Sequence, residues 1–296
     1  RAGSARRITG LIAFDHNRGI SSVNTQTEGV LASLRAKAAQ LGRRVIFPEQ
    51  SDPRVLDAIR QMDVEQFCRP LVLNADADVP NGCEVFWQQP EADSWFEQAV
   101  SDCIANSKQP APSKEEVRQQ LRDTPLLLAC LLVRVGYADA GVAGSIATTA
   151  EVLRACLKGI GLGVGSKLVS SVFVMEHPQR VMTFGDCGVN PNPNAEQLAQ
   201  IAIDSAATHE RLIGSAAKVA MLSFSTQGSA QHADVSKVRE ALAITRERQP
   251  DLLVDGELQF DAAFVPAVAT QKAKSSPVAG EANVMIFPDL DAGNIA

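Results

Sequence analysis

Aromatic residues are scarce in this 296-residue chain: 5% of the total, with two Trp and one Tyr. A core built chiefly from Ala, Val, Leu and Ile is therefore expected. No apolar run approaches the roughly 18 residues of a membrane span; the longest, Pro125 to Val133, is broken by Arg134. That predicts a soluble protein with no membrane partner. Basic blocks are missing too. At a net charge of −6, the chain is a poor candidate for neutralising a nucleic-acid backbone or docking on anionic lipid. A small phosphorylated ligand stays open, because a few placed N–H groups and one or two arginines suffice to hold it.

Motifs of several common chemistries are absent as well. The six cysteines (Cys68, Cys83, Cys103, Cys130, Cys156 and Cys187) contain no C-x-x-C pair, which argues against a thiolate zinc site. They fit free thiols in a reducing, cytoplasmic compartment, with Cys130 and Cys156 in apolar helical patterns. The histidines (His16, His177, His209, His232) show no H-x-x-x-H spacing. There is no G-x-S-x-G elbow, and no Lys follows a Gly-rich loop in Walker fashion. Nothing supports a zinc hydrolase, a Ser-His-Asp triad or a P-loop, and no metal is expected.

What the chain does hold is an ordinary globular balance, 45% hydrophobic and 21% charged, over a length of about two domains. Residues 1–25 read as an irregular lead-in. An apolar stripe at helical spacing runs from Thr27 to Leu41, and short strands then alternate with helices. Strands are expected at 44–47, 70–73, 84–86, 140–144, 168–175, 180–184, 218–224, 252–254 and 284–287. Helices are expected from Val55, at 95–104, 114–121, 126–135, 149–158, 194–208 and 235–248, and at 262–272 around Pro266. Asp52 before Pro53 and Asn194 before Ala195 are helix starts. Four glycines between Gly159 and Gly165 mark a boundary: a first α/β domain at 26–165 and a second at 166–296, each around a largely parallel sheet. Ligands of such sheets sit at the carboxyl ends of strands, which directs attention to the strand-to-helix loops.

Four loops carry candidate chemistry. Ser225, Thr226 and Ser229, with N–H groups near Gly228, could cradle a phosphate or a thioester oxygen, or could be a polar turn with a helix cap. Gly144 to Thr149 has the same layout, with Ser145, Thr148 and Thr149 on it and a capping box from Thr148 to Glu151. Arg154 lies within two turns of that helix start, either aimed at the ligand or a solvated surface residue. The stretch Gly185 to Asn194, containing Asn190, is a rigid Pro- and Asn-rich loop. Asp255, Glu257 and Asp261 place three carboxylates in seven positions, which suits acid–base work, a Mg²⁺ site or structural capping.

In order and spacing these stretches resemble the phosphate acetyltransferase (phosphotransacetylase) family, including its butyryltransferase branch. The resemblance is carried by Ile46-Phe47-Pro48-Glu49; by Ala143-Gly144 with Thr148-Thr149-Ala150 and Val152-Leu153-Arg154; and by Val169-Ser170-Ser171-Val172-Phe173. It continues through Gly185-Asp186-Cys187 with Asn190-Pro191-Asn192-Pro193, Ala220 to Thr226 with Gly228-Ser229-Ala230, Asp255 to Ala263, Ser276 to Gly280 and Ile286 to Leu290. It implies two α/β domains flanking a cleft, isocitrate/isopropylmalate-dehydrogenase-like, in a homodimer. It also implies the interconversion of acetyl-CoA plus phosphate with acetyl phosphate plus CoA, by direct thiolate attack in a ternary complex. CoA, acetyl-CoA, phosphate and acetyl phosphate are then substrates, with no separate cofactor. Arg154 becomes an anion-binding arginine, and the Ser225–Ser229 loop lines the cleft.

The chain departs from the family pattern at several places. The family's Ser-Arg pair and Asp base are expected beyond Ala296, which makes the second domain incomplete at its C-terminal end. A second phosphate-binding Arg is replaced near Ala105-Asn106, with Lys108 the nearby cation. Ala147 stands where His or Ser is common, Gln227 where Lys is common, and Glu281 where Lys or Arg is usual. The competing expectation is a non-catalytic acyl-CoA-binding regulatory domain of the same fold.

Overall fold

The computed structural model describes residues 29–75, 78–107, 110–163, 165–178 and 180–296, with the backbone of two strands at 6–8 and 12–14. In chain order the elements are β1 (Arg6–Ile8), β2 (Ile12–Phe14), α1 (Val30–Leu41), β3 (Arg44–Ile46), α2 (Pro53–Glu65), β4 (Arg69–Val72), β5 (Glu84–Val85), α3 (Ala92–Ala105), α4 (Lys114–Asp123), α5 (Pro125–Arg134), β6 (Ala140–Val142) and α6 (Thr149–Gly159). They continue with β7 (Val172–His177), β8 (Arg180–Gly185), α7 (Ala195–Ile213), β9 (Lys218–Leu222), α8 (Ala233–Arg248), β10 (Leu253–Leu258), α9 (Phe260–Phe264), α10 (Pro266–Lys272), β11 (Val284–Ile286) and α11 (Leu290–Ile295). Two compact units result: a first with β2 and the elements between Leu34 and Gly163, and a second with β1 and the elements from residue 165 onward.

The first unit's sheet has the order β2-β6-β3-β4-β5, parallel except for β2. Asp52 caps α2 and Pro53 opens it, where the missing proline N–H costs no hydrogen bond. Its core gathers aromatics rather than the expected aliphatics alone. Phe86 and Phe96 are buried with Tyr137, and ring centroids lie 4.8 Å apart for Phe86–Trp87 and 5.1 Å for Phe86–Tyr137 and Trp87–Phe96. Scarcity over the whole chain hid this local concentration.

The second unit's sheet has the order β1-β7-β8-β11-β9-β10. β1, β7 and β8 are antiparallel, and β8, β11, β9 and β10 are parallel. β9 shows why the sheet is covered on both faces. Val219 and Met221 pack into one apolar cluster with Leu198, Ile201 and Val238, while Ala220 and Leu222 pack into another with Leu258, Met285 and Phe287, following the two-residue alternation of strand side chains.

The observed elements differ from expectation in several places. The stretch read as irregular carries β1 and β2, each added to one sheet; its other residues lie outside the described ones. The strand expected at 168–175 begins at Val172, because Ser171 turns its N–H and hydroxyl to Asp186. β10 runs through Asp255 to Leu258, so the acidic stretch is largely strand. The helix expected at 262–272 is two helices, broken at Val265, whose extended φ −99° and ψ 113° put Pro266 at a new first position; a proline inside a helix lacks the needed donor and clashes with the preceding turn.

Candidate functional site

The candidate residues divide between the two units. In the first, β6 leads into Gly144–Ala147, whose N–H groups converge on one carboxylate. Gly144 and Ser145 donate to Oε2 of Glu49, both at 2.7 Å. Ile146 and Ala147 donate to its Oε1 at 3.2 and 2.7 Å. Gly144 has φ +99°, a conformation open to glycine at little cost. The loop is therefore an anion cradle, and the anion it holds is the protein's own buried Glu49. Ser145 is committed as well: its hydroxyl donates to Asp52, and Arg54 Nη2 donates to its carbonyl at 2.8 Å. Hydrogen bonds from Arg54 and the Ser145 hydroxyl hold the Asp52 carboxyl well below its usual range.

At the head of α6, Thr148 and Glu151 form the expected reciprocal capping box. Glu151 accepts from the Thr148 N–H and hydroxyl at 2.7 Å each, and those bonds lower its carboxyl. Thr149 and Arg154 are exposed. Neither side chain has a hydrogen bond or ion pair among the described residues, although the charge of Arg154 acts on Glu151. Of the four candidates in this unit, Thr149 and Arg154 retain side chains available to a ligand.

In the second unit the loop after β9 is organised around Glu257, which is 2% exposed. Its Oε1 accepts from the Ser225 hydroxyl at 2.7 Å and from the Gly228 N–H at 2.9 Å, while Arg239 Nε reaches Oε2 at 2.7 Å. The Gln227 N–H donates to the Glu257 carbonyl at 3.0 Å. Ser229 Oγ accepts from the Thr226 N–H at 3.0 Å, and Thr226 Oγ1 accepts from the Gln259 N–H at 2.9 Å. Burial pushes the Glu257 carboxyl up, but Arg239, the Gly228 N–H and the Ser225 hydroxyl outweigh it and bring it down to about 2. The Gly228 N–H, which the sequence offered to an outside anion, is occupied by an internal one.

Asn190 belongs to a third such arrangement. Asp186, 3% exposed, accepts at Oδ1 from the N–H groups of Ser171, Gly188 and Val189 at 3.2, 3.0 and 3.2 Å. Its Oδ2 accepts from the Asn190 N–H at 2.8 Å and from the Asn190 amide, which also donates to the Val169 carbonyl at 2.9 Å. Sequence reasoning placed Glu49, Asp186 and Glu257 inside motifs but missed their shared part. The legible signal was an acidic residue at or just past the end of an apolar strand; the glycine-containing loops that meet Glu49 and Glu257 lie elsewhere in the sequence.

The three carboxylates of the 255–261 stretch are each held by a cation. Asp255 pairs with Arg246 at 2.7 Å, Glu257 with Arg239, and Asp261 with Lys272 at 2.9 Å. Gln259, not Asp261, occupies the cap position of α9. No cluster of three or more His, Cys, Asp or Glu placed to hold a metal occurs among the described residues. Of the departures from the family pattern, Glu281 pairs with Lys218, and the Asn106 amide donates to the Asp102 carbonyl at 2.8 Å. Lys108 lies outside the described residues. Among the described residues no helix is long and apolar enough to cross a membrane.

The phosphate acetyl/butaryl transferase family model matches residues 30–296. A phosphate acetyltransferase of Thermoanaerobacterium thermosaccharolyticum is 40% identical over 279 residues, covering 90% of this chain and 84% of the relative. One of Pseudomonas aeruginosa is 39% identical over 269 residues, 87% of this chain but 37% of the relative, so the chain spans little more than a third of that longer protein. Among solved structures, the EutD phosphotransacetylase from Staphylococcus aureus superposes with a TM-score of 0.80 at 32% identity, over 90% of this chain and 83% of that one.

Proposed function

This chain belongs to the phosphate acetyl/butaryl transferase family, and from that premise we propose that it moves an acetyl or short acyl group between CoA and inorganic phosphate. The observation that carries the proposal is the 40% identity to a phosphate acetyltransferase across 90% of the chain, joined to the same fold in a solved phosphotransacetylase. In one direction the CoA thiolate attacks the carbonyl carbon of acetyl phosphate, and phosphate leaves. In the other a phosphate oxygen attacks the thioester carbonyl and CoA thiolate leaves. The two substrates react directly in a ternary complex, CoA serves as substrate, and no separate cofactor takes part. A non-catalytic acyl-CoA-binding domain is the less favoured reading, because the relatives above carry the enzyme's name.

Arg154 is the binding residue this proposal leans on most. It stands exposed on α6, without an ion pair among the described residues, and a guanidinium matches the geometry of phosphate oxygens. Thr149 supplies an uncommitted hydroxyl at the first position of the same helix. The Ser225, Thr226, Gly228 and Ser229 loop and Asn190 enter as shaped backbone, because their hydrogen bonds fix it around Glu257 and Asp186. A cytoplasmic homodimer is part of the same proposal, with no membrane or nucleic-acid partner.

The test is an assay of the purified full-length protein. Phosphate-dependent release of thiol from acetyl-CoA, and acetyl-CoA formation from acetyl phosphate plus CoA, are expected. Acetyl-CoA binding with no turnover in either direction would favour the regulatory reading.

A further inference from the structure

We propose that Cys130 and Cys156 are a site of reversible oxidation, closing to a disulfide when the protein meets a peroxide and tying α6 to α5. The two helices pack against one another, and the Cys130 thiol donates to the Cys156 sulfur across 3.9 Å. Their backbones come close at the next turn: a Cβ added to Gly159 would fall 2.5 Å from the Cβ of Cys130. The glycine thus lets α6 settle against α5 where the sulfurs meet. Disulfide formation needs the two sulfurs within reach of one another, and at 3.9 Å these two are already neighbours.

The pair is also chemically asymmetric. Cys156 is half-buried and Cys130 is buried. The hydrogen bond from Cys130 favours the Cys156 thiolate and lowers its thiol, while the same bond together with burial raises Cys130. Nucleophilic attack on an oxidant requires a thiolate with access. Cys156 is therefore the attacking sulfur and Cys130 the resolving one. The Cys156 thiolate attacks one peroxide oxygen, the O–O bond breaks, and the departing oxygen takes a proton to leave as water or alcohol. The Cys130 sulfur then attacks the sulfenic sulfur, the S–O bond breaks, and its hydroxyl leaves as water with the Cys130 proton. Two thiols are oxidised to one disulfide and one peroxide is reduced. Cys68 and Cys83 have no such disposition, since burial pushes their thiols up to about 11 and about 12 and Cys68 lies against the Met62 thioether at 3.7 Å. The bond would fix the helix that carries Thr149 and Arg154.

The experiment exposes the folded protein to hydrogen peroxide, blocks remaining thiols under denaturing conditions and maps peptides by mass spectrometry. Of the six thiols, four are expected to remain, with one cross-linked peptide pair joining 130 and 156, lighter by two hydrogens. A dithiol reductant should restore all six. Amide exchange across α6 should slow several-fold in the oxidised protein. Cys156→Ser should keep its five remaining thiols, Cys130→Ala should lose the Cys156 thiol to a sulfenic acid without any cross-link, and neither should show slowing. A count that stays at six, a cross-link between other cysteines, Cys156 ending as a sulfinic acid beside an intact Cys130, or unchanged exchange in α6 would each overturn the proposal.

Discussion

Glu257 and Arg154 show how differently two charged residues can bear on a binding loop. Glu257 is 2% exposed and accepts from Arg239, Ser225 and Gly228 at once, so it shapes the 225–230 loop from inside. Glu257→Gln keeps much of the shape but removes the charge that Arg239 pairs with and turns an amide N–H₂ toward donors. Because Arg239 is itself partly exposed, the loss should fall below that of a fully buried pair, about 2 kcal/mol, read as a shift in the urea midpoint at unchanged slope. An unshifted midpoint would mean that the loop does not depend on this carboxylate. Arg154 is the opposite case, with no ion pair among the described residues to lose. Arg154→Ala should leave the thermal midpoint unchanged and raise the KM for CoA or phosphate by roughly tenfold, the cost of about 1.4 kcal/mol of ground-state binding. Unaltered kinetics would remove Arg154 from the binding surface.

At the scale of elements, local chemistry and sequence agree most closely where a helix begins. Asp52 before Pro53, Thr148 with Glu151 and Asn194 before α7 are all read from side chains that satisfy their own neighbouring N–H groups, and such caps need no tertiary information. The loops were legible as polar and glycine-bearing but not in what fills them. The Gly144–Ala147 N–H groups meet Glu49 from ninety-odd residues away, and no local pattern announces that partner. Strand β10 was misjudged for a related reason: Asp255 and Glu257 look like loop residues until Arg246 and Arg239, two turns apart on α8, neutralise them. Gly144→Ala probes the cradle at this scale. An added Cβ would meet Val152 Cγ2 at 3.8 Å, ordinary contact, so the cost is the backbone at φ +99°, about 1–2 kcal/mol. A guanidinium unfolding midpoint equal to wild type would show that the loop takes another course to reach Glu49.

For the molecule as a whole, two units with different titratable interiors predict different responses to acid. In the second unit His209 is fully buried between Thr183 and Ser215, each 2.9 Å from a ring nitrogen. Burial is the main cause that brings its pKa down to about 4. An unfolded histidine titrates near 6.5, so between 6.5 and about 4 the unfolded chain binds the proton and the folded one does not. Stability from this group is complete above 6.5 and falls as the pH drops through that window, by up to about 3 kcal/mol. Glu257, also in this unit, adds its loss lower, as pH falls from the ordinary carboxylate value towards about 2. The chain's two tryptophans, Trp87 and Trp95, both lie in the first unit, so their fluorescence follows that unit alone while far-UV dichroism follows both. Urea titrations at pH 7 and pH 5 should therefore separate the two signals. The dichroism curve should gain an early phase at pH 5 that tryptophan fluorescence lacks, and His209→Gln should abolish that phase. Coincident curves at both pH values would show the two units unfolding as one cooperative body, with the protonation cost of His209 shared across the whole chain.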